Sequence, residues 1–328
     1  MADSSWLEAA REAVDQWDLD VADIEEVSRS ENVVFRVQAR DGGVFVLRLH
    51  RPAYHSYEAL VSEQTWTDAL AASGIDVPVV RPTREGLPYG SIQIHGEQRW
   101  VGVLEWVEGQ TMDSLIKAST DAREIEERFG QLGELLGQMH NQAANWQPPD
   151  KFVRHSVDAD GLMGDRPFWG PFWRAAALSA AKQTKYAALR ERLHALLRAL
   201  PTSSKTYSLI HADLHPDNVV VSDNRLHVID FDDAGFGWHA YDLAVALKDY
   251  ETHPDYVSYQ RALVLGYRRL RSLDDETVAL IPLFLVIRAL ASLGWIDARP
   301  DLGSFNDYAS ELVDIIDSRA EKVVAAYE

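Results

Sequence analysis

The chain has 328 residues, with 32 Lys plus Arg against 51 Asp plus Glu, a formal net charge of −19, and 46% apolar and 10% aromatic residues. That apolar content excludes a chain disordered throughout, and the length is where one core usually splits into two. Cysteine is absent, which excludes a disulfide framework, a thiolate zinc site and a cysteine nucleophile.

The acidic start, MADSSWLEAAREAVDQWDLD, lacks the basic-then-apolar order of a signal peptide. The longest apolar run, 280–293, carries Arg288 and falls short of the roughly 20 residues a bilayer span needs. It reads as a buried core helix. No membrane partner and a cytoplasmic location are expected. The strong negative charge repels phosphate backbones, so no nucleic-acid partner is expected either.

In chain order, Val33–Ala39 and Val44–His50 are β-branched and aromatic runs joined by the turn signal Asp41-Gly42-Gly43. Ser56–Ser73 predicts a helix closed by Gly74. Ser91–His95 and Arg99–Leu104 predict two further strands. After Glu108-Gly109 the pattern turns helical, over 121–142, 175–200 and 277–293. Only two short strands are expected to interrupt, 218–222 and 226–229, around Asp223-Asn224. The reading is α+β: a strand-rich lobe over 1–104 and a larger, mainly helical lobe over 105–328.

Chemistry concentrates in SLIHADLHPDNVVVSDNRLHVIDFDDAG. His211, Asp213 and Asn218 form H-x-D-x-x-x-x-N in a loop, and Asp230 closes the second strand of the following hairpin. The hairpin lets Asp213, Asn218 and Asp230 converge. Magnesium takes oxygen ligands, which Asn218 and Asp230 supply alongside phosphate oxygens. A hydroxyl acceptor needs a carboxylate to orient it and take its proton, a role suited to Asp213. A transition-metal site of His211, Asp213, His215 and Asp217 would need a strand, against which Pro216 argues.

HADLHPDN, VIDFDDAG and YDLAVAL together resemble the aminoglycoside phosphotransferase and choline kinase superfamily. The resemblance implies a bilobal protein-kinase-like fold, ATP as donor and Mg2+ as cofactor. It implies that Arg48 stands where the family has a phosphate-binding Lys, with Glu63 as its ion-pair partner. Arg keeps the charge but is longer and planar. It places Ser30 and Asn32, in the turn Ser28-Arg29-Ser30-Glu31-Asn32, over the nucleotide. It makes the Glu105 and Val107 backbone part of an adenine-binding hinge, and Asp242 a helix cap and loop brace.

His215 replaces the Lys of protein Ser/Thr kinases, and only about ten residues of loop separate Asp230 from the next helix. Both favour a small-molecule hydroxyl acceptor. Acidic residues from Asp301 to Asp317 and the walls Trp169, Trp173, Trp238 and Trp295 suit an amine-bearing one. A protein Ser/Thr acceptor and a non-catalytic nucleotide-binding module remain open at this point. Asp232 and Asp233 read as solvated carboxylates.

Overall fold

The computed structural model describes residues 4–30, 32–302 and 306–328, so Glu31 of the predicted turn lies outside the described residues. The chain forms two compact units. One comprises Met1–Gln110, Pro148–Val153 and Val220–Ile229; the other comprises Thr111–Gln147, Arg154–Val219 and Asp230–Glu328.

In the first unit α1 (Ser4–Val14) precedes β1 (Val21–Arg29), β2 (Val33–Ala39) and β3 (Val44–Leu49). Then come α2 (Tyr57–Ala72), β4 (Val80–Arg81), β5 (Gly90–Ile94) and β6 (Glu97–Glu105). The sheet order is β1-β2-β3-β6-β4, with β5 also on β6, and every pairing is antiparallel. Period-two alternation sends Phe35, Val37, Phe45, Leu47 and Leu49 to one face. There they pack with Val101 and Val103 and with Trp6, Ala10 and Trp17 from the N-terminal segment.

Helix α2 covers the other face. Its Tyr57 ring lies 4.7 Å from Trp100, and the Tyr89 hydroxyl donates to the Leu60 carbonyl at 3.2 Å. The Ser56 hydroxyl caps the helix by accepting from Ala59 N–H, and Gly74 takes the left-handed conformation (φ 88°) that ends it. The sequence reading missed β1. This strand, at the edge of the sheet, is acidic and mostly exposed, so burial imposes little alternation on it.

In chain order β7 (Gln110–Thr111), α3 (Met112–Ala118), α4 (Ala122–Asn145), β8 (Ser156–Val157), α5 (Ala159–Met163) and α6 (Ala180–Ala199) follow. Then come β9 (Tyr207–Ile210), the hairpin β10 (Val219–Ser222) and β11 (Arg225–Val228), β12 (Gly235–Trp238) and α7 (His239–Val245). Helices α8 (Tyr256–Leu270), α9 (Asp275–Val278), α10 (Ile281–Asp297) and α11 (Asn306–Ala325) finish the chain.

Three expectations need correction. The helix foreseen from 175 starts at Ala180, where Ser179 caps it by accepting from Lys182 N–H; residues 172–174 form a separate 3-10 turn. The helix foreseen from 277 to 293 is two, α9 and α10, broken at 279–280 just before Pro282 opens α10. The helical region also holds β8, β9 and β12, a sheet of order β8-β12-β9. These strands have two to four residues, too few to show alternation.

Within the second unit α4 and α8 pack with backbones nearly touching. A Cβ on Gly133 would stand 2.0 Å from the Leu263 carbonyl oxygen, and one on Gly266 1.9 Å from that of Gly130. Helix α10, the apolar run, is buried along most of its length, as expected of a core helix.

Candidate active site

The site is built where β9 and β12 end together. They pair antiparallel with Ile210 opposite Gly235. The loop leaving β9, 211–218, and the turn entering β12, 230–234, therefore emerge at one end of the same strand pair. Phe231 follows Asp230 directly, and its ring lies 4.7 Å from that of His211. Buried Arg154 ties the turn by donating to the carbonyls of Phe231, Asp232 and Ala234 at 3.2, 2.6 and 2.6 Å. Asp230 itself is exposed with φ 65°, a left-handed conformation that Asp tolerates better than most residues.

Asp242, fully buried, holds the loop. Its Oδ2 accepts from His211 N–H at 3.0 Å, and its Oδ1 accepts from Ala212 N–H at 2.7 Å. The carboxylate therefore braces the loop as expected. It does not cap α7, whose N-cap is Trp238. Asp242 Oδ2 also lies 3.1 Å from His140 Nε2, and His140 Nδ1 lies 2.9 Å from the Tyr267 hydroxyl. The His239 ring stacks on His140 at 4.2 Å. Burial pushes Asp242 up to about 6, against the pull of the His211 and Ala212 amides. Burial pushes His140 down to about 3 and His239 lower still, with Arg271 acting on both in the same direction. Both rings are therefore neutral, and the chain Tyr267–His140–Asp242 is satisfied when the Tyr267 hydroxyl donates to Nδ1 and Nε2–H donates to the carboxylate.

Asn218 is brought to Asp213. Its Nδ2 donates to the Asp213 carbonyl at 2.9 Å and lies 3.5 Å from Oδ2. With the amide nitrogen so committed, Oδ1 is the oxygen left to ligate. His211 Nδ1 accepts from Asp213 N–H at 3.3 Å.

The Asp213 carboxylate meets a partner that the sequence reading did not foresee. Arg288, in the middle of α10, places Nη2 2.6 Å from Oδ1. His215 Nε2 lies 3.7 Å from Oδ2, and its Nδ1 lies 3.5 Å from Asp249. Burial alone would raise the carboxyl. Arg288, His215 and Lys248 outweigh it and hold Asp213 well below the usual carboxylate range. The Arg288 guanidinium lies over Trp169 at 5.4 Å, and Trp169 Nε1–H donates to Asp233 Oδ1 at 3.1 Å.

Asp232 and Asp233 are therefore not the solvated pair expected. Asp232 is buried, and Asp233 is engaged by an indole. Of the four expected walls, Trp169 lies under the Arg288 guanidinium. Trp238 is core and donates to the Pro201 carbonyl, while Trp173 and Trp295 lie under Arg190 and Arg299. Asp317 is taken by Lys182 and Lys185. The span between Asp230 and Asp242 is a turn, a strand and the start of a helix rather than open loop. Among the described residues no three His, Asp or Glu side chains gather as a metal centre. Of the alternating set, Asp217 accepts from the Thr111 hydroxyl.

In the first unit, Arg48 lies on β3 opposite Val34 and Gly102, half-buried, on the face that α2 covers. Glu63 is buried on α2, on the same stripe as Ala59, Trp66 and Leu70. The two thus share one side of the sheet. Asn32 is buried, and its Oδ1 accepts from Arg51 N–H at 3.2 Å, while Ser30 N–H donates to the Asn32 carbonyl. Glu105 ends β6, with its N–H on the Val79 carbonyl; Trp106 N–H donates to the Val44 carbonyl, and Val107 follows outside any helix or strand.

The model of the phosphotransferase enzyme family matches residues 23–275. An amicoumacin kinase of Bacillus subtilis is 24% identical over 295 residues, covering 87% of this chain and 82% of that protein. A homoserine kinase of Rhodospirillum rubrum is 36% identical over 159 residues, covering 47% of this chain and 46% of that protein. The solved structure of a microcompartment-associated aminopropanol kinase superimposes with a TM-score of 0.84 at 29% identity, covering 98% of both chains. This protein-kinase-like chain belongs to the phosphotransferase enzyme family.

Proposed function

We propose that the enzyme moves the γ-phosphoryl group of ATP, with Mg2+, to a hydroxyl of a small amine-bearing molecule. The observation that carries this reading is the braced loop: Asp242 fixes the backbone at His211 and Ala212, and Asn218 is bonded to Asp213. Asp213 orients the acceptor O–H, whose oxygen bonds to the γ-phosphorus as the bond to the β–γ bridging oxygen breaks. The proton passes toward Asp213 and ADP leaves. Such catalysis is positioning plus charge neutralisation.

The donor set fits the metal. Asn218 Oδ1 and the exposed Asp230 carboxylate are hard oxygens, and Mg2+ is held by one or two such groups plus phosphate oxygens. Magnesium bound there neutralises phosphate charge. Arg48 holds the α- and β-phosphates, with Glu63 as its ion-pair partner. Ser30 meets the phosphates, Asn32 shapes the turn, and the Glu105–Val107 backbone receives adenine.

Carboxylates beside the loop, Asp233 and Asp249, favour a cationic acceptor. Two of the related proteins are named for small hydroxyl compounds that carry an amine. The test is ADP release with Mg2+ and ATP across amino alcohols, hydroxy amino acids, aminoglycosides and sugars, with the product identified by mass. Phosphorylation of an amino alcohol supports the reading. Turnover confined to sugars or to protein serine refutes the amine-bearing acceptor.

A further inference from the structure

We propose that Arg288 is a positioning residue for the transfer step. By holding Oδ1 of Asp213 it commits Oδ2 to the acceptor hydroxyl, and its charge offsets the repulsion between that carboxylate and the incoming phosphoryl oxygens. The proposal rests on the kinase reading above.

The first support is the helix in which Arg288 sits. Around it Leu283, Phe284, Leu285, Val286, Ile287, Ala289 and Leu290 are all buried. A helix that only had to pack would carry Leu or Met at this position. A largely buried guanidinium costs desolvation that its ion pair often fails to recover, so a buried pair is weak evidence of a stabilising role. Its value must be sought in what it holds.

The second support is how firmly the guanidinium is set. Its Nη2 is 2.6 Å from Asp213 Oδ1. The Trp169 ring lies under it at 5.4 Å, and that indole is itself tied to Asp233 at 3.1 Å. The fully buried Tyr241 lies beside it, and the Tyr241 ring stacks parallel to Trp169 at 6.2 Å. The residue flanking the pair from the loop is His215, with Lys248 and Asp249 beyond it.

The third support is the asymmetry of the Asp213 carboxylate. Oδ1 has a short, charge-assisted bond. Among the described residues Oδ2 has the longer approaches of Asn218 Nδ2 at 3.5 Å and His215 Nε2 at 3.7 Å. A hydroxyl donating to Oδ2 would make the shortest contact there. Without Arg288, either oxygen could meet the acceptor, and the carboxylate could rotate about its Cβ–Cγ bond.

The experiment is a double-mutant cycle read by steady-state kinetics on the full chain, using wild type, Arg288→Gln, Asp213→Asn and the double variant. The expected result is a fall in kcat of about 10- to 100-fold for Arg288→Gln with the ATP KM within about 3-fold. In the Asp213→Asn background the same change should alter the residual rate by less than about 3-fold, because the group it positions is gone. Arg288→Lys, which keeps the charge with a different geometry, should recover part of kcat and guards against a folding defect in the Gln variant. Equal losses in both backgrounds, or a lowered melting temperature with kcat per folded molecule unchanged, would overturn the proposal. If wild type releases no ADP with any acceptor, or Asp213→Asn matches it, the kinase reading fails first and takes the proposal with it.

Discussion

Asp242 Oδ1 accepts the Ala212 backbone N–H at 2.7 Å, and Ala212 sits at φ 65°. A left-handed alanine costs roughly 1–2 kcal/mol, and the buried carboxylate is what holds it there. The loop thus stores local strain one residue before Asp213.

Replacing Asp242 by Ala leaves the amides of 211 and 212 and His140 Nε2 without their buried acceptor. The expected loss is about 3–5 kcal/mol of unfolding free energy, read by urea denaturation. Ala212→Gly relieves the left-handed conformation and is expected to stabilise by about 0.5 kcal/mol. A destabilised Gly variant would show that the methyl group, and not the strain, matters at 212.

The buried rings make stability depend on pH. His140 and His239 have folded pKa values far below the ordinary 6.5. The unfolded chain therefore binds two more protons at these rings once pH falls below 6.5, and their contribution drains away on acidification. Asp242 acts oppositely: its folded value of about 6 exceeds the ordinary 3.8, so between those limits the folded chain holds one more proton. The net is one proton, a loss of about 1.4 kcal/mol per pH unit between roughly pH 6 and 4. Urea midpoints at pH 7.5, 6 and 5 check it. In His140→Gln the slope should flatten; an unchanged slope would show that the ring titrates alike in both states.

These rings also mark the limit of what could be read from the sequence. H-x-D-x-x-x-x-N and the Asp beyond it were legible because their chemistry is written within twenty residues. Asp242 was legible as a brace through resemblance. His140 was not, because on α4 it sits inside an apolar stripe beside Met139 and Leu136 and looks like any core residue. Its partners are Asp242 and Tyr267, 102 and 127 residues away. Arg288 did leave a signal, as the one charge in an otherwise apolar run from 280 to 293. That signal spoke against a membrane span, and only the fold shows that the charge meets Asp213, 75 residues earlier. Strands β8, β9 and β12 were hidden by their shortness.

Arg48 and Glu63 share one side of the first unit's sheet. Arg48→Ala is expected to raise the ATP KM about 10-fold or more while leaving the acceptor KM within about 3-fold. Equal rises in both would show that Arg48 supports the fold and not the nucleotide.

Chelation gives a further kinetic test. EDTA should abolish turnover and added Mg2+ should restore it. Asn218→Ala, which removes one oxygen ligand, should shift the Mg2+ requirement upward about 10-fold or more. An unaltered Mg2+ dependence would remove Asn218 from the metal site.

The most direct measurement compares Asp213→Asn with wild type for Mg·ATP binding by calorimetry and for acceptor-dependent ADP release. The variant should bind the nucleotide within about 3-fold of wild type and turn over at least about 100-fold more slowly. Retained turnover, or lost nucleotide binding in a folded variant, would contradict the assignment of Asp213 as the residue that orients the acceptor hydroxyl.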